Sequence, residues 1–132
     1  MTTLPHNFKR IRLNLARSKE FPQGSPRHGY EFVAPLDAEG HIDVEQWKSA
    51  RAHCGVRRFW EGEDDQIGRL MYNERAPGGS RWFFDYDPEE TEDDERGYRF
   101  GTHVFRPGEY VSVRADDGEL HTFQVVSVES AT

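Results

Sequence analysis

The clearest alternation of apolar and polar residues lies near the end of the chain. Residues 110–115 (YVSVRA) alternate with a period of two, which is the pattern of a half-buried β-strand. Asp117-Gly118 follows as a tight turn, because Gly accepts positive φ and Asp tolerates left-handed geometry. A second apolar run occupies residues 120–128. Together these features predict a β-hairpin.

The second strand of this hairpin changes phase. His121, Phe123 and Val125 share one face of an ideal strand, whereas Val126 and Val128 fall on the other. Either a β-bulge shifts the register there or both faces of the strand are covered. Of the two, we predict the bulge.

Shorter runs of alternating or β-favouring residues predict further strands, separated by turn residues. These runs are Phe8–Leu15, Tyr30–Ala34, Val56–Trp60, Ile67–Glu74 and Arg81–Tyr86. Consecutive strands joined by turns, without strand–helix alternation, favour an antiparallel meander over a parallel sheet.

One helix is predicted by its end signals. Asp43 is a favourable N-cap, and Gln46 three residues later completes a capping box. Val44, Trp47 and Cys54 recur at helical spacing, and Gly55 is the predicted C-cap. The sequence therefore predicts a helix over residues 43–54.

These elements indicate an α+β, mainly β fold: a small antiparallel β-barrel or roll of about 6–8 strands with one helix packed on it or plugging one end. A length of 132 residues fits a single domain spanning 1–132. Within it we predict a frayed terminus at 1–7 and long loops at 18–29 and 87–99.

Composition adds little to the fold but narrows the class of protein. An aromatic share of 13% argues against disorder, although 31% of residues are charged. The single cysteine, Cys54, excludes an internal disulfide framework. Residues 1–22 lack the apolar run of a signal peptide, and no segment is apolar enough to cross a membrane. We therefore expect a soluble, cytoplasmic protein.

Charge is distributed very unevenly. Residues 85–96 (DYDPEETEDDER) contain eight acids and one Arg, which accounts for the whole net charge of −7. Residues 1–30 contain six Lys or Arg and only one acid, Glu20. Such asymmetry bears on partners rather than on fold.

No motif predicts a metal, a cofactor or a catalytic centre. The acidic run fails the spacing of a calcium loop, because Glu90 stands where the turn Gly belongs and Arg96 where the bidentate acid belongs. The histidines and Cys54 form no zinc pattern, although His103 and His121 would approach each other if their strands paired. Neither a phosphate loop nor a GxSxG elbow is present. The sequence therefore favours a binding protein over an enzyme, with no cofactor.

The leading hypothesis is an accessory domain that presents a basic, aromatic-flanked face to a protein or another anionic partner. The alternative is a ligand-binding barrel or small enzyme with a pocket rimmed by aromatic residues and Arg. Candidate binding residues for the two hypotheses are Arg10, Arg12, Arg57, Arg58, Trp60, Trp82, Tyr72 and His103.

Single-stranded nucleic acid is the third hypothesis, because basic residues flank aromatic ones in Arg57-Arg58-Phe59-Trp60. The net charge of −7 and a pI near 5.3 disfavour it, since phosphate contacts dominate such binding. The oligomeric state is left open by the sequence.

Overall fold

The computed structural model describes residues 7–73, 75, 82–86, 95–98, 100, 103–114 and 119–131, and for 95–98 the backbone is considered. Eight strands, one α-helix and one 3-10 turn occur in these ranges. They are β1 (Phe8–Leu15), β2 (Ser25–Pro35), α1 (Val44–Ala50), the 3-10 turn (Arg51–His53), β3 (Gly55–Trp60), β4 (Gln66–Tyr72), β5 (Trp82–Asp85), β6 (Glu95–Tyr98), β7 (Tyr110–Arg114) and β8 (Leu120–Ser130).

The strands form a closed antiparallel barrel in which every strand pairs with its neighbours in sequence. β8 pairs with β1 and closes the barrel. The predicted α+β, mainly β barrel is confirmed, and so is the hairpin of β7 and β8. Odd-numbered strands end at one end of the barrel, which we call the mouth, and begin at the other, which we call the closed end.

The bulge predicted in the last strand is present at Val126. Arg12 lies opposite Ser127, but the next residue, Leu13, lies opposite Val125, so Val126 has no partner in β1. The extra residue turns Val126 outward, where it is 38% exposed. It also places Val128 opposite the buried Ile11. The change in apolar alternation along β8 therefore corresponds to a change in its register with β1.

Aromatic side chains fill the barrel interior. Tyr30 lies 5.0 Å from Phe84 and 5.1 Å from Phe123 between ring centroids, and Phe84 also contacts Phe32 at 5.4 Å. Phe100 and Phe105 extend this cluster toward the closed end. A barrel of about eight strands has an interior just wide enough for its own side chains, and here rings occupy it.

The helix lies at the closed end, between the end of β2 and the start of β3. Asp43 is its N-cap and accepts the Gln46 backbone N–H at 3.1 Å, as predicted. The predicted capping box was wrong, because the Asp43 N–H donates to the Pro35 carbonyl at 2.9 Å and the Gln46 side chain bonds with Asn7 instead. Trp47 is the buried anchor: its ring packs 5.5 Å from that of Trp82 and 6.1 Å from that of Tyr72. Its indole Nε1–H donates to the Leu70 carbonyl at 2.9 Å. α1 therefore plugs the barrel through one side chain.

The predicted end of the helix was wrong. α1 ends at Ala50 and continues only as the 3-10 turn, and Gly55 is the first residue of β3 rather than a C-cap. The Leu70 N–H donates to the Cys54 carbonyl at 2.8 Å. That bond from β4 draws residue 54 into the sheet, which stops the helical pattern early.

The predicted loop boundaries were also wrong at two places. β2 begins at Ser25, within the expected loop 18–29. Opposite β1 the register jumps from Asn14–Gly29 to Leu15–Ser25, so Pro26, which lacks an N–H, falls in the irregular part of the strand. In the expected loop 87–99, residues Glu95–Tyr98 form β6. The other residues of that loop, and most of the acidic run, lie outside the described residues.

Within the described ranges, no helix has the length and apolar character needed to cross a membrane.

Candidate functional site

A groove of about 480 Å³ opens at the mouth of the barrel. It lies between the chain that follows β1 and the start of β8, with a contribution from the end of β3. The lining residues are Leu15, Ala16, Arg17, Ser18, Lys19, Glu20, Phe21, Trp60, Glu119, Leu120, His121 and Thr122.

Trp60 is the centre of a chain of ring contacts beneath this groove. His28 packs edge-on against it at 4.6 Å between centroids, and Phe21 packs on His28 at 4.6 Å. On its other side Trp60 contacts His121 at 6.2 Å and Phe123 at 6.5 Å. The mouth groove is therefore continuous with the aromatic core, which gives its apolar wall a rigid support.

His28 is held by a buried hydrogen bond. Its Nδ1 lies 2.6 Å from Ser25 Oγ, and the two residues are only 5% and 8% exposed. Ser25 Oγ also accepts the Arg27 backbone N–H at 3.2 Å. The hydroxyl can therefore donate to Nδ1, which fixes the imidazole under Trp60. Neither Ser25 nor His28 lines the groove, so this pair positions Trp60.

Arg58 packs against the same indole. Its Cζ lies 4.6 Å from the Trp60 ring centroid and its side chain is only 14% exposed. The turn between β3 and β4 supplies a carboxylate to each of three arginines at this end of the barrel. The pairs are Arg27–Glu61 at 3.0 Å, Arg57–Asp65 at 3.0 Å and Arg58–Glu63 at 3.1 Å.

A second cluster, the arginine face, lies on the outer wall across β1, β2 and β3. Arg10, Arg12 and Arg57 converge on one carboxylate, Glu31, at 3.9, 3.8 and 3.8 Å. Arg12 and Arg57 also cover the ring of Phe59, with Cζ 4.5 and 5.0 Å from its centroid. This arrangement buries Phe59 to 7% exposure although it lies outside the barrel.

Most donors of Arg12 are used within this face. Its Nε donates to Asn14 Oδ1 at 3.0 Å and its Nη2 to the Pro26 carbonyl at 3.1 Å. Arg10 differs, because its side chain is 50% exposed, against 33% for Arg12 and 38% for Arg57. The arginine face thus serves mainly to join β1, β2 and β3. Arg10 is its most accessible cation.

The remaining predicted binding residues lie at the closed end, away from the groove. Tyr72 and Trp82 pack on each other at 4.6 Å and on Trp47. His103 precedes β7, in the segment where the Phe105 N–H donates to the Gly40 carbonyl. His103 and His121 are therefore at opposite ends of the barrel. The predicted set is divided among three places: Trp60 lines the groove with Arg58 packed on it, Arg10, Arg12 and Arg57 lie on the outer wall, and the other three lie at the closed end.

Two pKa values bear on the chemistry. Burial raises the pKa of the Cys54 thiol to about 12, so it stays protonated and unreactive at neutral pH. The Asp37 carboxylate accepts the backbone N–H of His41 and that of Glu39. These hydrogen bonds, led by that of His41, lower the pKa of Asp37, although desolvation opposes them. Asp37 organises the turn at the closed end and lies far from the groove in the fold. Among the described residues, no three His, Cys, Asp or Glu are grouped to hold a metal.

Phe21, His121 and Glu119 line the groove but are absent from the binding residues predicted from the sequence. Phe21 falls in the predicted loop 18–29, and loops of that length often carry function. His121 had a usable signal, because it is in phase with the buried Phe123 and Val125 at the mouth end of β8. The proximity of β1 and β8, which assembles the groove, had no local sequence signal.

No protein-family model, no curated protein and no solved structure matches this chain.

Proposed function

We propose that this protein is a ligand-binding barrel whose site is the groove at the mouth. The observation that carries this proposal is the groove itself. Its volume of about 480 Å³ lies within the range of about 300–1,000 Å³ typical of small-molecule sites. Seven of its twelve lining residues are polar or charged, so it is more polar than most small-molecule sites, and Leu15, Phe21, Trp60 and Leu120 supply its apolar wall.

The packed interior supports a site at the mouth rather than inside the barrel. Phe84 and Phe123 are at most 1% exposed, and the interior rings contact one another directly. A ligand inside would have to displace this packing, at a cost of several kcal/mol. At the mouth, a ligand covers Phe21 and Trp60, which are only partly buried. Covering them removes apolar area from water without disturbing the core.

Two candidate nucleophiles elsewhere in the barrel, Cys54 and Ser25, do not serve the groove. Cys54 is protonated and fully buried. Ser25 and His28 contact each other, but both lie outside the groove lining and the hydroxyl already accepts the Arg27 N–H. We therefore propose a site that holds a ligand rather than one that converts it.

The test is a fragment screen monitored by two-dimensional NMR on the full chain. We expect hits to shift the amides of residues 15–21 and 119–122. Leu120→Trp would fill the groove from an exposed position and should abolish these shifts. The matched control is Ile67→Ala, another exposed apolar residue, which lies outside the groove and should leave binding unchanged. Hits confined to other surfaces, or unaffected by Leu120→Trp, would contradict the proposal.

The second candidate function is anion binding by the arginine face. It is favoured by three guanidinium groups gathered around two carboxylates, Glu31 and Asp65, with Arg10 half exposed. Arg10→Ala would then weaken a salt-sensitive interaction with an anionic partner such as heparin-Sepharose. Arg69→Ala, which removes an exposed cation from β4, is the control. Equal retention of both variants and the parent chain would remove this candidate.

A further inference from the structure

We infer that the mouth groove binds a short extended peptide, which pairs with the start of β8. This inference rests on the proposed function and names the class of ligand. The peptide main chain bonds to the backbone of Leu120, on the side of β8 that faces the chain after β1. One apolar side chain of the peptide packs against Phe21 and Trp60, which line the same groove.

β8 extends beyond β1 at the mouth. The pairing of these two strands ends at Leu15 and Phe123, whereas β8 begins at Leu120 and stays paired to β7 from there. In the described part of the chain, one main-chain bond joins the two segments beyond Leu15, from the Ala16 N–H to the Thr122 carbonyl at 3.0 Å. The first residues of β8 therefore form an open edge within an otherwise closed barrel.

The alternation of β8 identifies which backbone groups face the groove. In an antiparallel ladder the N–H and C=O of one residue point to one side of the strand, and those of the next residue to the other. The Val125 N–H donates to the Glu109 carbonyl at 2.8 Å, so odd-numbered residues before the bulge face β7. The bond from Ala16 to Thr122 shows that even-numbered residues face β1. The N–H and C=O of Leu120 therefore point into the space beyond the end of β1.

The chain that follows β1 forms the opposite wall of the groove and leaves this space open. The Ser18 N–H donates to the Phe21 carbonyl at 2.9 Å, and the Phe21 N–H donates to Ser18 Oγ at 3.2 Å. The Gly24 N–H also donates to the Phe21 carbonyl, at 2.9 Å. These bonds fold the segment on itself instead of extending β1 along β8. The volume of about 480 Å³ lies between the two walls.

A strand added beside Leu120 places alternate side chains on the inner face of the barrel. His121 is on this face, in phase with the buried Phe123, and its ring lies 6.2 Å from that of Trp60. The peptide residue opposite His121 points to the same face, where Phe21 and Trp60 are partly buried. An apolar side chain there covers both rings, while the main chain bonds to β8. This division between backbone and side-chain recognition is that of strand addition.

Ala16 limits the length of the pairing. Its N–H bonds to the carbonyl of Thr122, so it occupies the place opposite that residue. A peptide antiparallel to β8 therefore begins opposite His121 and continues past Leu120. Two basic and two acidic side chains line the groove, so its formal charges favour neither sign. The edge thus suits a short, uncharged segment that is bound through its backbone.

The experiment compares a blocked tripeptide, acetyl-Phe-Val-Thr-amide, with two esters of nearly the same shape. The first ester replaces the Val N–H, which would donate to the Leu120 carbonyl, by oxygen. The second replaces the Phe N–H, which points away from β8. Binding to the full chain is followed by NMR titration. We expect the first ester to bind about fivefold to tenfold more weakly than the tripeptide, and the second to bind about as tightly as the tripeptide.

Two variants of Leu120 test the other half of the pairing. Leu120→Pro removes the N–H that points into the groove, and the hairpin keeps its ladder because this N–H faces away from β7. Leu120→Ala also shortens the side chain but keeps the N–H. We expect Leu120→Ala to bind the tripeptide at least about fivefold more tightly than Leu120→Pro. Unchanged amide shifts in β7 verify the fold, and the two esters decide if those shifts change.

The outcomes separate the peptide from the proposed function. Equal binding of the tripeptide and both esters would overturn recognition of the backbone. Fragment hits at the groove, without binding of the tripeptide, would overturn the peptide and retain the ligand-binding barrel. If neither fragments nor the tripeptide bind the groove, both ideas fail. A dimer of the parent chain that is lost in Leu120→Pro would assign the edge to a second copy and overturn the peptide.

Discussion

Gly29 stands where the barrel wall has no room for a side chain. A Cβ at this position would lie 1.9 Å from the Leu13 carbonyl oxygen and 3.1 Å from the Phe59 ring. The Phe59 ring lies over this glycine and is covered in turn by Arg12 and Arg57. Because Gly29 has no side chain, β1 can approach β2 closely and the Phe59 ring can pack on the outer wall.

Gly29→Ala should lower the free energy of unfolding by more than about 2 kcal/mol, because backbone atoms must move to relieve the overlap. Gly55→Ala is the matched control: its Cβ would have no neighbour closer than the Gly68 carbonyl oxygen at 3.7 Å. We expect that variant to change stability by less than about 1 kcal/mol. Urea denaturation measures both. Equal effects would contradict the account of Gly29.

Cys54 should report on unfolding because the folded chain hides it completely. With its pKa raised to about 12 from 9.0, the folded thiol yields about a thousandfold less thiolate near pH 8 than an ordinary one. Reaction with Ellman's reagent should therefore proceed only through opening of the structure. Rapid labelling of the native chain, at a rate near that in urea, would show that Cys54 is accessible.

The same thiol gives a pH dependence with a defined sign. The unfolded chain ionises first as pH rises, since its pKa is the lower one. The contribution of Cys54 to stability is therefore complete below pH 9 and is lost as pH rises toward 12. Cys54→Ala should flatten the decline in stability over that interval, as measured by urea midpoints.

At the scale of elements, α1 is held to the barrel mainly through Trp47. Trp47→Ala should destabilise the chain by about 3–5 kcal/mol, because it empties the space between Tyr72 and Trp82. Trp47→Phe keeps a ring but leaves the Leu70 carbonyl without its indole donor, at a cost of about 1–3 kcal/mol. Lys48→Ala, on the exposed side of α1, is the control and should stay within about 0.5 kcal/mol. An effect of Lys48→Ala equal to that of Trp47→Ala would contradict this assignment.

Local sequence patterns were sufficient to predict most strands and the helix. They failed where contact with a strand distant in sequence sets the boundary of an element. Asp43 and Gln46 marked the start of α1 because a cap is a contact between near neighbours. The bulge at Val126 could be predicted because the alternation of apolar residues along a strand is visible in its own sequence. The end of the helix was wrongly predicted at Gly55, since the hydrogen bond from the Leu70 N–H to the Cys54 carbonyl comes from another strand. β6 was missed because its residues belong to a charged run without alternation.

The candidate site was harder to predict than the fold for the same reason. Trp60 and Arg58 were chosen for their residue types, and they do lie at the mouth. Tyr72 and Trp82 share those types but face the helix at the closed end. Which end of the barrel a residue reaches depends on strand direction and register, and a list of aromatic residues contains neither.

At the scale of the whole molecule, closure of the barrel gives β1 a partner on each side. Along an edge strand, alternate amides point to solvent and exchange quickly, whereas here neighbouring amides of β1 should be protected alike. Hydrogen exchange followed by NMR tests this. Slow and fast exchange alternating from Lys9 to Asn14 would indicate an open sheet. The amides of turn residues 61–65 provide a fast reference.

Closure also brings the two ends of the described chain together, since the Ala131 N–H donates to the Phe8 carbonyl at 2.9 Å. A short linker can therefore join the present ends, and the backbone can be cut elsewhere to make a circular permutant. A cut between Tyr86 and Glu95 would place both new ends beside the mouth. Such a permutant would turn the acidic segment into two free tails and offer an attachment point at the end of the barrel that carries the groove.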